Sequence, residues 1–405
     1  MQSRPMLEKF KQSIKNLDAE LIGYLVLGTI LAILVRVSLL DFKSVDYDTY
    51  TKVWYNTIQT LGYTAFRGDF SNYNPPYLYL LYLVVRFLPN MAKVAAIKVP
   101  SIICDFLCAG FVYKIIRLKS ASRIAAVLGY MATLLAPVVI LNSAFWGQAD
   151  SIYTAGLIAC VYFLLVKKNW LAFISFSIAF TFKLQAIFLL PLLIILWLKR
   201  EVSWKHFLTI PIVYFISILP AWLIGRPLDS LLAVYTSQAD QYDRLSMHAP
   251  SLYAWFPNDP DIFNLIYPAG LALAVTIILI LVLILTKSKV ELTPPLLVEL
   301  ASFVLLLVPF VLPKMHQRYF FPADILLIVF GFYFPAYFYI PLIINMVSFF
   351  SYQYFLFGPE TFPMGDLAVV TLFIVAIMTW KLMRDLYPQI NNGRQENEQA
   401  SPDSD

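Results

Sequence analysis

The chain has 405 residues, 60% of them hydrophobic and only 14% charged, with a formal net charge of +5 and a mean hydropathy of +0.71. Soluble domains are about a quarter charged, so this composition excludes an ordinary globular protein. Apolar runs of about 17–25 residues recur along it, the length that crosses a bilayer as a helix. The basic residues sit at the ends of those runs, where membrane orientation accounts for them, so the positive balance gives no argument for nucleic acid as a partner.

The first 20 residues are basic and polar, with Arg4, Lys9, Lys11 and Lys15. They have no apolar core followed by a small-residue cleavage site, so they read as a cytoplasmic arm rather than a signal peptide. Residues 21–40 form the first expected span. It delivers Asp41 to the outer face and opens a polar, aromatic loop, residues 41–97, that holds Asp46 and Asp48 and runs to Asn74-Pro75-Pro76. Arg36 lies about one turn from the outer end of that span, where it would snorkel to the interface or meet a lipid phosphate. The apolar run at residues 77–88 is short and contains Arg86. It reads as an amphipathic interfacial helix, which keeps Lys114, Arg117, Lys119 and Arg123 on the inside.

The remaining spans are expected at residues 98–116, 121–142, 150–166, 170–182, 184–198, 206–224, 263–285, 296–312, 321–340, 341–357 and 366–383. That makes about twelve, with both termini cytoplasmic and basic residues such as Lys167, Lys168, Lys199, Arg200 and Lys381 inside. Residues 225–262 form a second outer loop, 21–384 is one transmembrane domain, and 385–405 is a polar tail with the composition of a disordered segment. Cys104, Cys108 and Cys160 all fall in apolar spans and suit packing better than disulfides. No Asn-x-Ser/Thr sequon occurs, in line with a bacterial plasma membrane.

This topology gathers the unusual polar residues on the outer side. Asp46 and Asp48 are two apart and would share one face of an extended loop. Such a pair needs a cation, a metal or a shared proton in a dry site, and one of the two could serve as general base; solvated loop carboxylates are the alternative. Lys314-Met315-His316-Gln317-Arg318 places three potential cations beside a span end, fit to grip a phosphate or to anchor the interface with Tyr319. Gln148 and Asp150 lie at a boundary between spans, and Lys183 with Gln185 between two spans with almost no loop. Ionisable groups at such depth are site candidates.

Together these groups suit transfer of a sugar from a polyprenyl phosphate to an alcohol, which needs a base for the hydroxyl and cations for the departing phosphate. Taken in order, Asp46-Tyr47-Asp48 with Trp54, Tyr73-Asn74-Pro75-Pro76-Tyr77, Phe145-Trp146-Gly147-Gln148-Ala149-Asp150, Phe182-Lys183-Leu184-Gln185 and His316-Gln317-Arg318-Tyr319-Phe320 resemble the GT-C superfamily. The match is nearest to bacterial mannosyltransferases related to the eukaryotic GPI-anchor enzymes. It is also similar to dolichyl-phosphate-glucose-dependent transferases, from which it departs at Asp48 and Gln317, where those carry Glu, and at the one-residue displacement of Trp54.

The resemblance implies an all-α polytopic GT-C fold with amphipathic helices in the first outer loop. It also implies Asp46 as base with Asp48 as second carboxylate, and donor-phosphate contacts from His316, Arg318 and Lys183. Gln148, Asp150, Tyr73, Asn74 and Gln185 are the substrate-binding candidates. The expected partners are a polyprenyl-phosphate-sugar donor, a lipid-linked or glycan acceptor and membrane lipids. No cofactor is required, and a divalent metal is not expected although Asp-x-Asp would accommodate one. A polytopic transporter or lipid flippase is the rival; it should place its ionisable groups at mid-membrane in two repeated halves, a pattern this sequence does not show.

Overall fold

Proline and extended single residues, more than long loops, set the breaks between helices in the computed structural model, which describes residues 4–239 and 241–387. The tail beyond 387 lies outside the described residues. Helix α1 (Arg4–Val37) runs unbroken from the basic arm into the first span. The first long loop carries α2 (Lys52–Leu61) and α3 (Pro75–Phe87). On α2, Trp54, Tyr55 and Ile58 are buried while Gln59 and Thr60 face out, the spacing of an amphipathic helix. Pro75 and Pro76 start α3, where a missing N–H costs no helix bond. Helix α3 packs on α2, α4 and α10.

Helix α4 (Lys93–Lys119) is followed by α5 (Arg123–Leu135), which breaks at Ala136-Pro137 into α6 (Pro137–Ile140) and a π-helical turn, Leu141–Trp146. The two arms of this break meet at 47°. Next come α7 (Asp150–Leu165) and α8 (Asn169–Phe182). Lys183 is extended (φ −152°, ψ 134°), and beyond it a 3-10 turn, Leu184–Leu189, leads into α9 (Leu190–Leu198). The rest is α10 (Thr209–Leu223), α11 (Leu228–Ala239), α12 (Pro260–Lys287), α13 (Pro294–Val311), α14 (Phe321–Tyr333), α15 (Tyr339–Phe357) and α16 (Met364–Leu386). Two short parallel strands, β1 (Ser246–Met247) and β2 (Met315–His316), join the loop between α11 and α12 to the chain after α13.

Among the described residues seven helices are long and apolar enough to cross a membrane, eight if the bent α5–α6 pair is one span. The chain is an all-α polytopic membrane protein. The expected twelve spans have counterparts, but α7, α8, the 184–198 segment and α14 are short. The 13 residues of α14 reach about 20 Å against a hydrocarbon core of about 30 Å. Two expected boundaries also move: residues 321–340 are interrupted at Phe334, and the last long span but one begins at Pro335.

The bundle is tightest where α4, α5, α7 and α8 meet, and α13 lies deepest, with 89% of its apolar window buried. The three cysteines are free; Cys108 and Cys160 are fully buried in the apolar core. Lys381 is buried against Glu299 (2.7 Å), Asp385 (2.8 Å) and the Phe334 ring (3.6 Å).

Arg36 also departs from expectation. It neither snorkels nor reaches a lipid: its Nε donates to Asp105 Oδ2 at 2.9 Å and its Nη1 to the carbonyls of Leu134 (3.0 Å) and Ala32 (3.2 Å). Ser143 and Ser151 donate to the two oxygens of the same carboxylate. One ion pair thereby joins α1, α4, the turn after α6, and α7. Breaking such a buried pair costs about 3–5 kcal/mol, because the surviving charge is left without a partner. Asp105→Ala should therefore lower the melting temperature of detergent-purified protein sharply, and Arg36→Leu/Asp105→Leu should recover much of it. An Asp105→Ala protein as stable as the wild type would contradict this account.

Candidate active site

The site begins where α1 ends. The Lys98 ammonium on α4 donates to three carbonyls in the turn that follows, of Leu39 (3.0 Å), Leu40 (2.9 Å) and Phe42 (2.8 Å). Phe42 stacks on Phe145 with ring centroids 3.5 Å apart. Ser44 Oγ donates to the Trp146 carbonyl at 2.9 Å and accepts from the Tyr47 N–H at 3.2 Å. The start of the loop after α1 is thus fastened to the Phe145–Gln148 turn.

The loop is helical here rather than extended: Asp46 has φ −63° and ψ −31°, and a π-helical turn runs over Tyr47–Thr51. At about 100° per helical residue, two residues apart means roughly opposite faces. The expectation that Asp46 and Asp48 share a face is therefore corrected. Asp46 lines a cavity of about 800 Å³. Asp48 points away, exposed, and pairs with Lys52 at 3.0 Å. The Asp-x-Asp motif consequently forms no chelating pair, and among the described residues no cluster of three His, Cys, Asp or Glu side chains could hold a metal.

Asp46 accepts two hydrogen bonds on one oxygen: Oδ2 takes the Trp146 indole N–H at 2.9 Å and the Gln148 amide N–H. Both donors come from the same turn. Gly147 between them has φ +81°, a left-handed conformation that glycine adopts without strain.

The adjoining lining is cationic. Arg318 follows β2 in a 3-10 turn, Gln317–Phe320, and donates through Nη1 to Gln148 Oε1. Its guanidinium lies 6.0 Å from the Trp146 ring and 5.7 Å from that of Tyr319, and its Nε is buried without a partner. Lys183 reaches the cavity because the chain is extended there between α8 and the 3-10 turn. It is paired with Asp150 at the N-terminus of α7, where the helix dipole favours a carboxylate. Asn142 Nδ2 donates to the other Asp150 oxygen at 2.9 Å. The Lys183 ammonium also sits 5.6–5.9 Å from the rings of Tyr73, Tyr153 and Tyr319.

His316 lines the cavity next to Arg318, with Nδ1 2.9 Å from Gln317 Oε1. Burial, with help from the Arg318 charge, pushes its imidazole down to about 3. The burial of the ring favours its neutral form, which offers a ring nitrogen to the cavity.

Around the mouth are Tyr50 and Tyr242, whose hydroxyls lie 3.2 Å apart, and Asn72, bonded to Gln241 at 3.0 Å. Burial raises the Tyr242 phenol to about 12. On the lower side the lining is apolar, and Ile187 (39% exposed) and Leu271 (42% exposed) belong both to the cavity and to the outer surface of the bundle.

Of the residues singled out in the sequence, Asp46, Gln148, Arg318, Lys183, His316, Tyr73 and Gln185 line this one cavity. Asp150 stands behind Lys183. Asn74 is buried, bonding to the Thr181 carbonyl at 3.1 Å and accepting from the Tyr214 hydroxyl at 3.4 Å, so it fastens α3 to its neighbours instead of lining the site. Asp105 and the Tyr50–Tyr242 pair were not singled out. A carboxylate inside an apolar run was the available signal for Asp105; nothing local marks the tyrosines.

No family model and no curated protein sequence matches the chain. Among solved structures, ArnT from Cupriavidus metallidurans bound to undecaprenyl phosphate superposes with a TM-score of 0.55 at 13% identity, covering 92% of this chain and 73% of that one. The apo-state structure of ArnT from the same organism gives 0.47 at 12% identity, over 90% and 77%. The first likeness shows the fold, an all-α polytopic membrane bundle.

The neutral imidazole has a consequence for stability. Between the ordinary histidine value of 6.5 and about 3, the unfolded chain binds a proton that the folded His316 refuses. Its contribution is complete above pH 6.5 and is lost as the pH falls toward 3. Melting of the wild type should fall more steeply than that of His316→Asn between pH 6.5 and 4.5; parallel curves would place a proton on the folded imidazole.

Proposed function

We propose that this protein is a membrane glycosyltransferase that moves a sugar from a polyprenyl-phosphate donor to a hydroxyl of a lipid-linked or cell-envelope glycan. The observation that carries the reading is a single carboxylate, Asp46, lining the same cavity as two cations, Arg318 and Lys183, with an apolar wall that reaches the bundle surface. The ArnT structure of the same fold was solved with undecaprenyl phosphate, which supports a polyprenyl-phosphate ligand. The motif resemblance supports mannose as the sugar and an inverting, single-displacement route.

Asp46 takes the proton of the acceptor hydroxyl as its oxygen attacks the anomeric carbon. The bond from that carbon to the phosphate oxygen breaks, and its electrons leave with the phosphate. Polyprenyl phosphate is acidic enough to depart without a general acid, so the need is for positive charge. Arg318 and Lys183 supply it in a partly dry site, where such stabilisation is usually the largest catalytic contribution. His316 contributes a neutral hydrogen bond. The polyprenyl chain lies along Ile187, Phe188 and Leu271, and the site faces the outside with both termini in the cytoplasm.

Sugar transfer from labelled polyprenyl-phosphate-mannose, in membranes with native lipid acceptors, tests the reading. Asp46→Asn should lose about 10²–10⁴-fold in rate, the usual worth of a general base. Asp48→Asn should stay near wild type, since its carboxylate points out of the cavity. Equal loss in both would move the base off Asp46. A wild type silent with mannose, glucose, galactose and arabinose donors would end the glycosyltransferase reading.

A further inference from the structure

Gln148 stands between the two chemical halves of the cavity. It is 6% exposed, and its backbone N–H is held by the Asn142 carbonyl at 2.9 Å. A guanidinium can only donate and an ionised carboxylate can only accept. The amide therefore has one satisfying orientation: Oε1 toward Arg318 and Nε2 toward Asp46. No other side chain of this length does both. Glutamate would set a second negative charge against Asp46, and leucine would leave both neighbours without their partner.

The position of this amide is itself enforced. Gly147 turns the chain at φ +81°, a conformation in which a side chain would be strained. Residues 142–150 then present Trp146 and Gln148 to Asp46, Gln148 to Arg318, and Asn142 and Asp150 to the Lys183 side. The other titratable groups facing this chain are His316, Tyr319, Tyr73 and Tyr242.

We infer that Gln148 is a positioning residue that couples the donor-phosphate site to the base. Its amide links Arg318 to Asp46 in one hydrogen-bonded chain, so that a phosphate seated on Arg318 sets the place of Asp46 Oδ2 and leaves Oδ1 for the acceptor hydroxyl. This rests on the glycosyltransferase reading above and adds to it an order of events. Donor occupancy readies the base, which guards against proton removal with no sugar to transfer.

The test uses purified full-length protein in lipid nanodiscs with polyprenyl-phosphate-mannose, or whichever donor of the panel the wild type accepts. Gln148→Glu should shift the acid limb of kcat/KM against pH upward by about one unit, because a neighbouring carboxylate disfavours ionisation of the base. In a double-mutant cycle, Gln148→Leu and Arg318→Lys together should lose less than the product of their single losses. Melting curves establish that each variant is folded, and Trp146→Phe, which removes the other donor to Oδ2, gives a second route to the same upward shift. A Gln148→Glu profile that overlays the wild type, or losses that multiply, would overturn the coupling and leave the enzyme reading intact. A wild type inactive with every donor would overturn both.

Discussion

The buried Arg36–Asp105 pair is the constraint on which the rest of the site depends. A guanidinium and a carboxylate inside a bundle are each costly alone, so each must find the other in the fold. They satisfy that need only when α1 lies against α4 and when Ser143 and Ser151 bring the 142–150 turn against both. The same turn carries Trp146 and Gln148 to Asp46. A structural ion pair thereby sets where the loop after α1 starts, and Lys98 completes the arrangement by gathering the carbonyls at that point.

The broken helices are part of the same design. A continuous α-helix would turn Lys183 toward whatever its heptad face met, and it would continue the α5 direction past Pro137. The break at Lys183 and the 47° bend at Ala136-Pro137 interrupt regular helix beside the cavity. The N-terminus of α7 sits there with Asp150, and the C-terminal end of α8 delivers Lys183 to it. Irregular backbone at this depth is tolerated where it lines a cavity or is buried in protein.

Much of this was legible in the sequence. Apolar run lengths gave the polytopic class, and the short polar motifs from Asp46 to Phe320 marked the residues that meet in the cavity, because polar residues beside spans are costly and few. Seven of the ten proposed site residues line one cavity for that reason. Asp48 and Asn74 escaped the reading because the side to which a residue points depends on local backbone: a helical turn at Asp46, a buried α3 start at Asn74. His316 was read as a cation because sequence carries the residue type and not its burial. Asp105 and Lys381 were hidden because their partners, Arg36 and Glu299, are far away in the chain.

The apolar wall at Ile187 and Leu271, shared between cavity and bundle surface, bears on how the proposed donor would be counted. A substrate arriving along that wall comes from the plane of the bilayer, so its supply is a surface density rather than a bulk concentration. Diluting the membrane with inert lipid would then slow the enzyme at constant total donor, whereas enlarging the aqueous volume would not. Membrane composition, more than the surrounding solution, would set the working rate.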